Sequence, residues 1–329
     1  MLTYNVLMAP QPQPKRRTPV GTHRPVMVEP VMRWLDPKPG EVAVDCTLGY
    51  GGHAEALLAR LGPAGRLIGL DVDASQLATT AARLAGSPTP LSVHAANFSS
   101  LADVLAGEHL DAVDVILADL GVSSMQVDDP QRGISYAHEG PLDMRMDPKL
   151  TRTGADLLAS LSEADLSAAL RELSHEGDHQ RIAQFVVAQR QADPIRTTGQ
   201  LVRLVLSAKN LTKHSWQRQA SYFDPHPAAR TFQALRILVN DELGHLQRLL
   251  EQAPRLLKPG GRIGIISFQP GEDSLVKRWF ARHQASGLYA AISGRPTQPT
   301  PREQRANPRS ASALFRWAKR SDKPAGELP

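Results

Sequence analysis

The order of apolar and polar positions divides this chain into two kinds of territory. Over residues 42–119, short unbroken apolar runs alternate with stretches at helical spacing. Val42, Ala43 and Val44 run into Asp45, Arg66 to Leu70 into Asp71, and Val113 to Ala118 into Asp119. Leu91 to His94 leads through Ala95, Ala96 and Asn97 to Phe98. Short apolar runs bounded by turns suit strands covered on both faces, as in a parallel sheet. Helical patterns from Ala54 to Leu61 and from Ala74 to Leu84 fall between them, and another, carrying Val28, Val31, Met32 and Leu35, comes first and stops at Asp36-Pro37. This order predicts an open, doubly wound α/β sheet whose strand carboxyl ends line one crevice, with Asp45, Asp71, Phe98 and Asp119 around it.

Beyond Gln126 the pattern changes. The chain reads as loop to Leu150, including Gly133-Ile134-Ser135-Tyr136 and Gly140-Pro-Leu-Asp-Met-Arg-Met-Asp147. Residues 154–220 then read as helices alone: Ala155 to Leu161, Glu163 to Leu173, Arg181 to Gln191 and Thr198 to Ala208. With no strand among them, they are expected to form an inserted, all-helical subdomain. Phe232, Leu235, Val239, Leu243, Leu246, Leu250 and Ala253 recur at helical spacing, predicting one long helix from about Ala228 that ends at Leu257-Lys-Pro-Gly-Gly261. A fifth strand from Arg262 to Ser267, a helix near Ser274 to Arg282 and strands at Leu288–Ser293 and Ser312–Trp317 return the chain to the sheet. The division expected is an arm over 1–21, a sheet domain over 22–127 and 226–318, an insert over 128–225 and a tail over 319–329.

Chemistry gathers at the first strand's end. Gly49, Gly51 and Gly52 form a strand-to-helix turn in which the backbone can approach a ligand closely, with a helix N-terminus behind it. The spacing is not the G-x-G-x-x-G of dinucleotide enzymes, since Ala54 stands where the third glycine would fall. Asp71, at the end of the second strand, is placed to hydrogen-bond the ribose hydroxyls of an adenosine, and Asp73 to cap the following helix. His175-Glu-Gly-Asp-His179 matches the H-E-x-x-H zinc motif, but Gly177 and Asp178 disfavour the stable helix that motif needs, so no metal is expected there.

Composition narrows the picture. At 329 residues the chain has room for one large domain with an insertion, or for two domains. No apolar stretch reaches the length of a membrane span, and residues 9–25 are Pro-rich and basic rather than signal-like, so a cytoplasmic location is expected. The single cysteine, Cys46, excludes an intramolecular disulfide and reads as a small apolar residue. Residues 294–329 hold eight Lys/Arg against three Asp/Glu, which equals the net charge of +5 for the whole chain. Clustered arginines suit a polyanionic partner.

Several motifs occur together in one order: His23-x-Pro-Val26 with Glu29, Asp45-x-Thr-x-Gly-x-Gly-Gly-His53, Asp119-Leu-Gly-Val-Ser-Ser124 and the Gly140–Asp147 segment. Thr231-Phe-Gln-Ala-Leu-Arg-Ile237, Asn240-Asp-Glu-Leu243, Pro259-Gly-Gly-Arg262 and Asn307-Pro-Arg309 follow. From about residue 22 to 318 this series resembles the small-subunit ribosomal RNA methyltransferase H family, also called MraW. The resemblance implies a class I S-adenosylmethionine-dependent methyltransferase fold with a helical insertion. It implies N4-methylation of a cytosine in the decoding region of 16S rRNA, with the rRNA met within the small ribosomal subunit; a homodimer is compatible with it. Carried over by position, the cofactor contacts fall on Gly51, Gly52, His53, Asp71, Phe98, Asp119 and Gln126, of which His53 and Gln126 rest on the resemblance alone.

Transfer from a sulfonium needs alignment of nucleophile, methyl and sulfur, and exclusion of water. Cytosine's exocyclic amine is a poor nucleophile, so acceptors aimed at its N–H bonds should help; Asp119 and the Leu120-Gly121 carbonyls are the candidates, with Ser123 or Ser124 orienting the base. Arg145, Arg230, Arg236 and Arg309 are the expected phosphate contacts. Phe268-Gln-Pro-Gly-Glu-Asp273 departs from the family's Phe-His-Ser-Leu-Glu-Asp, Ser174-His-Glu176 from its Gly-Glu-Glu, and His226-Pro-Ala-Ala-Arg230 from its His-Pro-Ala-Thr-Arg. The first departure keeps open a second reading, a ribosome-assembly factor that binds cofactor and RNA but transfers methyl poorly.

Overall fold

The computed structural model describes residues 25–219 and 226–322; the basic arm, His23 of the first motif and the last residues of the tail lie outside them. Helix α1 (Val28–Leu35) leads into strand β1 (Val42–Asp45), followed by α2 (Gly52–Leu61), β2 (Arg66–Asp71), α3 (Ala74–Leu84) and β3 (Leu91–Ala95). Then come α4 (Leu101–Gly107), β4 (Val113–Asp119) and the short α5 (Ser124–Asp128). Among the described residues, six helices follow with no strand between them: α6 (Gly154–Ser160), α7 (Glu163–Ser174), α8 (His179–Ala192), α9 (Thr198–Ala208), α10 (Lys213–Gln219) and α11 (Ala229–Asn240). Helix α12 (Glu242–Leu256), β5 (Leu257–Ser267), α13 (Pro270–Ala285), β6 (Tyr289–Ile292), α14 (Pro301–Ala306) and β7 (Leu314–Arg320) complete the chain.

The seven strands lie in the order β3-β2-β1-β4-β5-β7-β6, with β7 antiparallel to both its neighbours and the other pairs parallel. Alternate residues of each central strand feed opposite faces. Val44, Ile68, Ile116 and Ile265 pack with Leu246, Leu250 and Phe280 of α12 and α13, whereas Ala43, Leu67, Leu117 and Ile266 pack with Leu35, Leu57 and Leu77 of α1 to α3. Both faces being covered explains why the strands read as unbroken apolar runs. No helix among the described residues is long and apolar enough to cross a membrane.

The predicted long helix is two. Asp241 takes a left-handed conformation (φ 46°), and it separates α11 from α12. Phe232, Ala234, Leu235 and Val239 of α11 belong to the insert's own core, with Leu142, Leu166, Leu170, Ile182 and Leu201. The helical insert thus reaches Asn240 rather than ending at 225, and Leu246 and Leu250 of α12 return to the sheet. The apolar spacing runs through the break because both helices are amphipathic on either side of it.

Candidate active site

Strands β2 and β4 flank β1, and the crossovers leaving β1 and β4 travel to opposite sides of the sheet, which opens a crevice at their carboxyl ends. The turn after β1 is fixed on all sides. Cys46 and Leu48 donate their N–H groups to the carbonyls of Leu117 and Leu70, each at 2.8 Å. The Gly49 N–H donates to Asp71 Oδ2 at 2.8 Å, its carbonyl accepts from the Thr80 hydroxyl at 2.5 Å, and Arg83 donates to the Tyr50 carbonyl at 2.6 Å. Gly51 has φ 72°, and a Cβ there would lie 2.8 Å from Thr80 Cγ2; at Gly52 it would lie 2.8 Å from Pro25. These two glycines are therefore required by the packing of the turn against α3 and Pro25, which holds its backbone against the crevice.

Four carboxyl groups gather around that turn. Asp45 is buried, accepts the Thr47 N–H at 3.1 Å, and is pushed up to about 7 by desolvation and then by the neighbouring Asp71. Asp71 accepts the Gly49 N–H and, at 3.0 Å, the Asp73 N–H; burial raises its pKa. Each Asp71 oxygen keeps a lone pair for a further donor. Asp73 caps α3 through Ser75 and Gln76 and pairs with Arg132; although burial opposes it, these contacts hold its carboxyl below the usual range. The capping role thus falls to Asp73 and leaves Asp71 facing the crevice.

Asp119 has the most perturbed environment of the four. Its backbone N–H donates to Thr47 Oγ1 at 2.7 Å, while its Oδ1 is buried without a hydrogen-bond partner. Desolvation raises its pKa well above the ordinary value, and Asp45 and Glu272 add to the effect. His53 Nδ1 lies 3.6 Å from Asp119 Oδ2, and its Nε2 lies 2.8 Å from the Val26 carbonyl. A carbonyl only accepts, so Nε2 carries a proton, and Nδ1 faces the carboxyl. Glu272, in the first turn of α13, accepts from the N–H groups of Phe268 (2.9 Å) and Gln269 (3.2 Å); burial, then the nearby Glu242, raise it to about 7. Reading the sequence missed Glu272, though Pro270 at the helix start with two acids after it signals such a turn.

Other expected residues fall in varied settings. Phe98 lies partly buried against the sheet's core, with its ring edge-on to His245 at 6.4 Å. Ser123 and Gln126 form the capping box of α5: the Ser123 hydroxyl accepts from the Gln126 N–H at 3.2 Å, and Gln126 Oε1 accepts from the Ser123 N–H at 3.0 Å. Gln126 keeps its amide N–H groups for another partner. Arg236 is paired with Glu242 through two contacts of 2.7 and 2.9 Å and only 12% exposed, so its guanidinium is committed inside the protein. Arg145 is likewise clamped to Asp143 and donates to the Leu150 carbonyl at 2.7 Å. Arg230 and Arg309 are exposed, the first donating to the His175 carbonyl at 2.8 Å and the second paired with Asp128 at 3.1 Å. The H-E-x-x-H residues do not share a helix: His175 ends α7 in a left-handed conformation, His179 starts α8, and Glu176 pairs with Lys209 at 2.6 Å.

This crevice has the parts an adenosyl ligand calls for, namely an acid at the end of β2, an aromatic after β3 and a partnerless carboxylate oxygen after β4. Comparison with known proteins gives the arrangement a lineage. Residues 21–321 match the model of the MraW methylase family. The chain belongs to that family. A ribosomal RNA small subunit methyltransferase H of Symbiobacterium thermophilum is 42% identical over 309 residues, covering 89% of this chain and 95% of the relative. One of Halorhodospira halophila is 45% identical over 315 residues (91% and 94%), and one of Rubrobacter xylanophilus 42% over 320 (93% and 98%). The MraW match spans sheet and insert alike, and S-adenosylmethionine is the cofactor that membership implies. Asp71 and Asp119, with the glycine turn between them, fit that cofactor.

Proposed function

We propose that this chain methylates the exocyclic N4 amine of a cytosine in the decoding region of 16S rRNA, using S-adenosylmethionine, with the small ribosomal subunit as its cytoplasmic setting. Family membership supports the reaction class, and the observation that carries the chemistry is Asp119, a buried carboxyl with one oxygen unpartnered and the other beside His53. Bound S-adenosylmethionine supplies a methyl group already activated by the sulfonium charge.

The remaining work belongs to side chains of this protein. Asp71 offers free lone pairs to the ribose hydroxyls, and Phe98 an apolar face to the adenine. Gln126, with its carbonyl engaged by the capping box, presents amide N–H donors to the same ligand. The ionised Asp119 accepts a hydrogen bond from the cytosine amine, drawing its lone pair away from conjugation with the ring and toward the methyl group. After transfer the amine gives up a proton, which Asp119 takes. Ser123 is foremost the cap of α5, and its hydroxyl hydrogen remains available to orient the base. Arg230 and Arg309, being exposed, are the phosphate contacts of this reading. The altered Phe268–Asp273 loop is well bound, through Glu272 and through a 2.7 Å hydrogen bond from Gln233 to Gln269, so it gives no separate support to a non-catalytic assembly factor. Deleting the gene in its host should remove an N4-methylated cytidine from 16S rRNA, and a plasmid copy should restore it; 16S rRNA unchanged by the deletion would overturn the assignment.

A further inference from the structure

Two segments that the cofactor site leaves unused meet in space. Tyr136, from the Gly133–Tyr136 segment, stacks on His226, which opens the His226–Arg230 segment, with ring centroids 4.6 Å apart and planes 14° from parallel. Trp216 meets the His226 ring at 4.6 Å and 64°, and the buried Phe232 holds Tyr136 edge-on at 6.0 Å. The Ala228 N–H donates to His226 Nδ1 at 3.1 Å, which places the ring proton on Nε2, and burial lowers the pKa of the imidazole. His226 is thus a neutral, oriented plate rather than a cation. Tyr136 remains 39% exposed, one of only four large apolar side chains so exposed among the described residues. An apolar core would bury such a ring, and its backing by His226 and Phe232, with Trp216 against His226 in turn, leaves it rigid with surface to spare.

The stack is joined to the crevice by a short series of contacts. Gln233, next to Phe232 on α11, donates to Gln269 at 2.7 Å, and Gln269 follows β5, whose Ile266 carbonyl accepts the Leu120 N–H at 2.9 Å just beyond Asp119. Arg230, exposed one turn before Gln233, stands on the same helix. A flat, rigid aromatic surface with a cation nearby is the equipment used to hold unpaired bases of single-stranded RNA. We propose that Tyr136, backed by His226 and Trp216, is a stacking platform for an unpaired nucleobase adjoining the cytosine to be methylated. The neighbouring base on this platform holds the strand while the target enters the buried crevice at Asp119. This rests on the RNA reading of the site.

The test compares Tyr136→Ala and Tyr136→Phe with the wild type for binding of a labelled single-stranded pyrimidine oligoribonucleotide and of the matching abasic oligomer, which keeps the phosphates and lacks the bases. Base–aromatic stacking supports an expectation of about tenfold weaker binding of the base-bearing oligomer by Tyr136→Ala, with binding retained by Tyr136→Phe. The abasic oligomer should bind both variants as it binds the wild type, and S-adenosylhomocysteine affinity should be unchanged in all three. In methylation of 30S subunits, Tyr136→Ala should raise the KM for the subunit more than it lowers kcat. Equal binding of the base-bearing oligomer by Tyr136→Ala and wild type would overturn the platform, as would equal losses on the two oligomers, which would mean that the ring merely supports the insert. A wild type that bound neither oligomer and methylated neither 30S subunits nor 16S rRNA would overturn the RNA reading along with it.

Discussion

Replacing Glu272 with glutamine should change how stability depends on pH, and by an amount the structure sets. The amide keeps an acceptor oxygen for the Phe268 and Gln269 N–H groups and removes a titrating proton. In the folded chain, burial and the Glu242 carboxylate hold Glu272 up to about 7, against 4.5 for an ordinary glutamate. Between those values the folded chain holds a proton that the unfolded chain has lost. Stability from this group is therefore fully present below about 4.5 and is lost as pH rises toward about 7, beyond which the loss is constant. At about 1.4 kcal/mol per tenfold change in proton affinity, the span corresponds to a loss of ~3 kcal/mol. Urea unfolding of both proteins across this range gives the test. Asp45 and Asp119 titrate in both chains, and the substitution moves Asp119 only through the smallest of its causes, so to first order the difference isolates Glu272. The wild type should lose about 3 kcal/mol relative to Glu272→Gln between acid and neutral pH. Parallel stability curves, with a constant difference, would show that burial and Glu242 do not raise Glu272.

Asp119→Asn should lower methyl transfer by about a hundredfold or more while leaving S-adenosylmethionine affinity within about tenfold, by single-turnover kinetics and calorimetry; equal losses in both would reduce Asp119 to a cofactor contact. Because Asp119 must be ionised to accept a proton and its pKa is raised, the wild-type rate should climb with pH above the usual carboxylate range, and Glu272→Gln should shift that climb to lower pH; a rate flat across this range would contradict the role. Gly51→Ala should cost about 1–3 kcal/mol, because a Cβ at φ 72° would press on Thr80 and Leu84, and would lower the thermal midpoint. An unchanged midpoint would show that the turn yields.

The strand ends were legible because parallel strands announce themselves twice, as apolar runs covered on both faces and as acids where the runs stop. Asp45, Asp71 and Asp119 were found that way, and the insert's helices by their spacing. The break at Asp241 was not, since nothing in the apolar period marks a residue with positive φ between two amphipathic helices. Arg236 and Arg145 looked like free cations because their acid partners are apparent only in the folded chain. The Ser123–Gln126 capping box was readable from its S-x-x-Q spacing and went unread. The meeting of Tyr136 with His226 joins segments 90 residues apart through the insert's packing, beyond the reach of local pattern.

Whether this chain methylates cytosine N4 is decided by incubating the purified protein with methyl-tritiated S-adenosylmethionine and either 30S subunits or naked 16S rRNA that lack the modification, then digesting the RNA to nucleosides. Tritium is expected in N4-methylated cytidine from at least one of the two substrates. Label absent from that nucleoside with both substrates would contradict it.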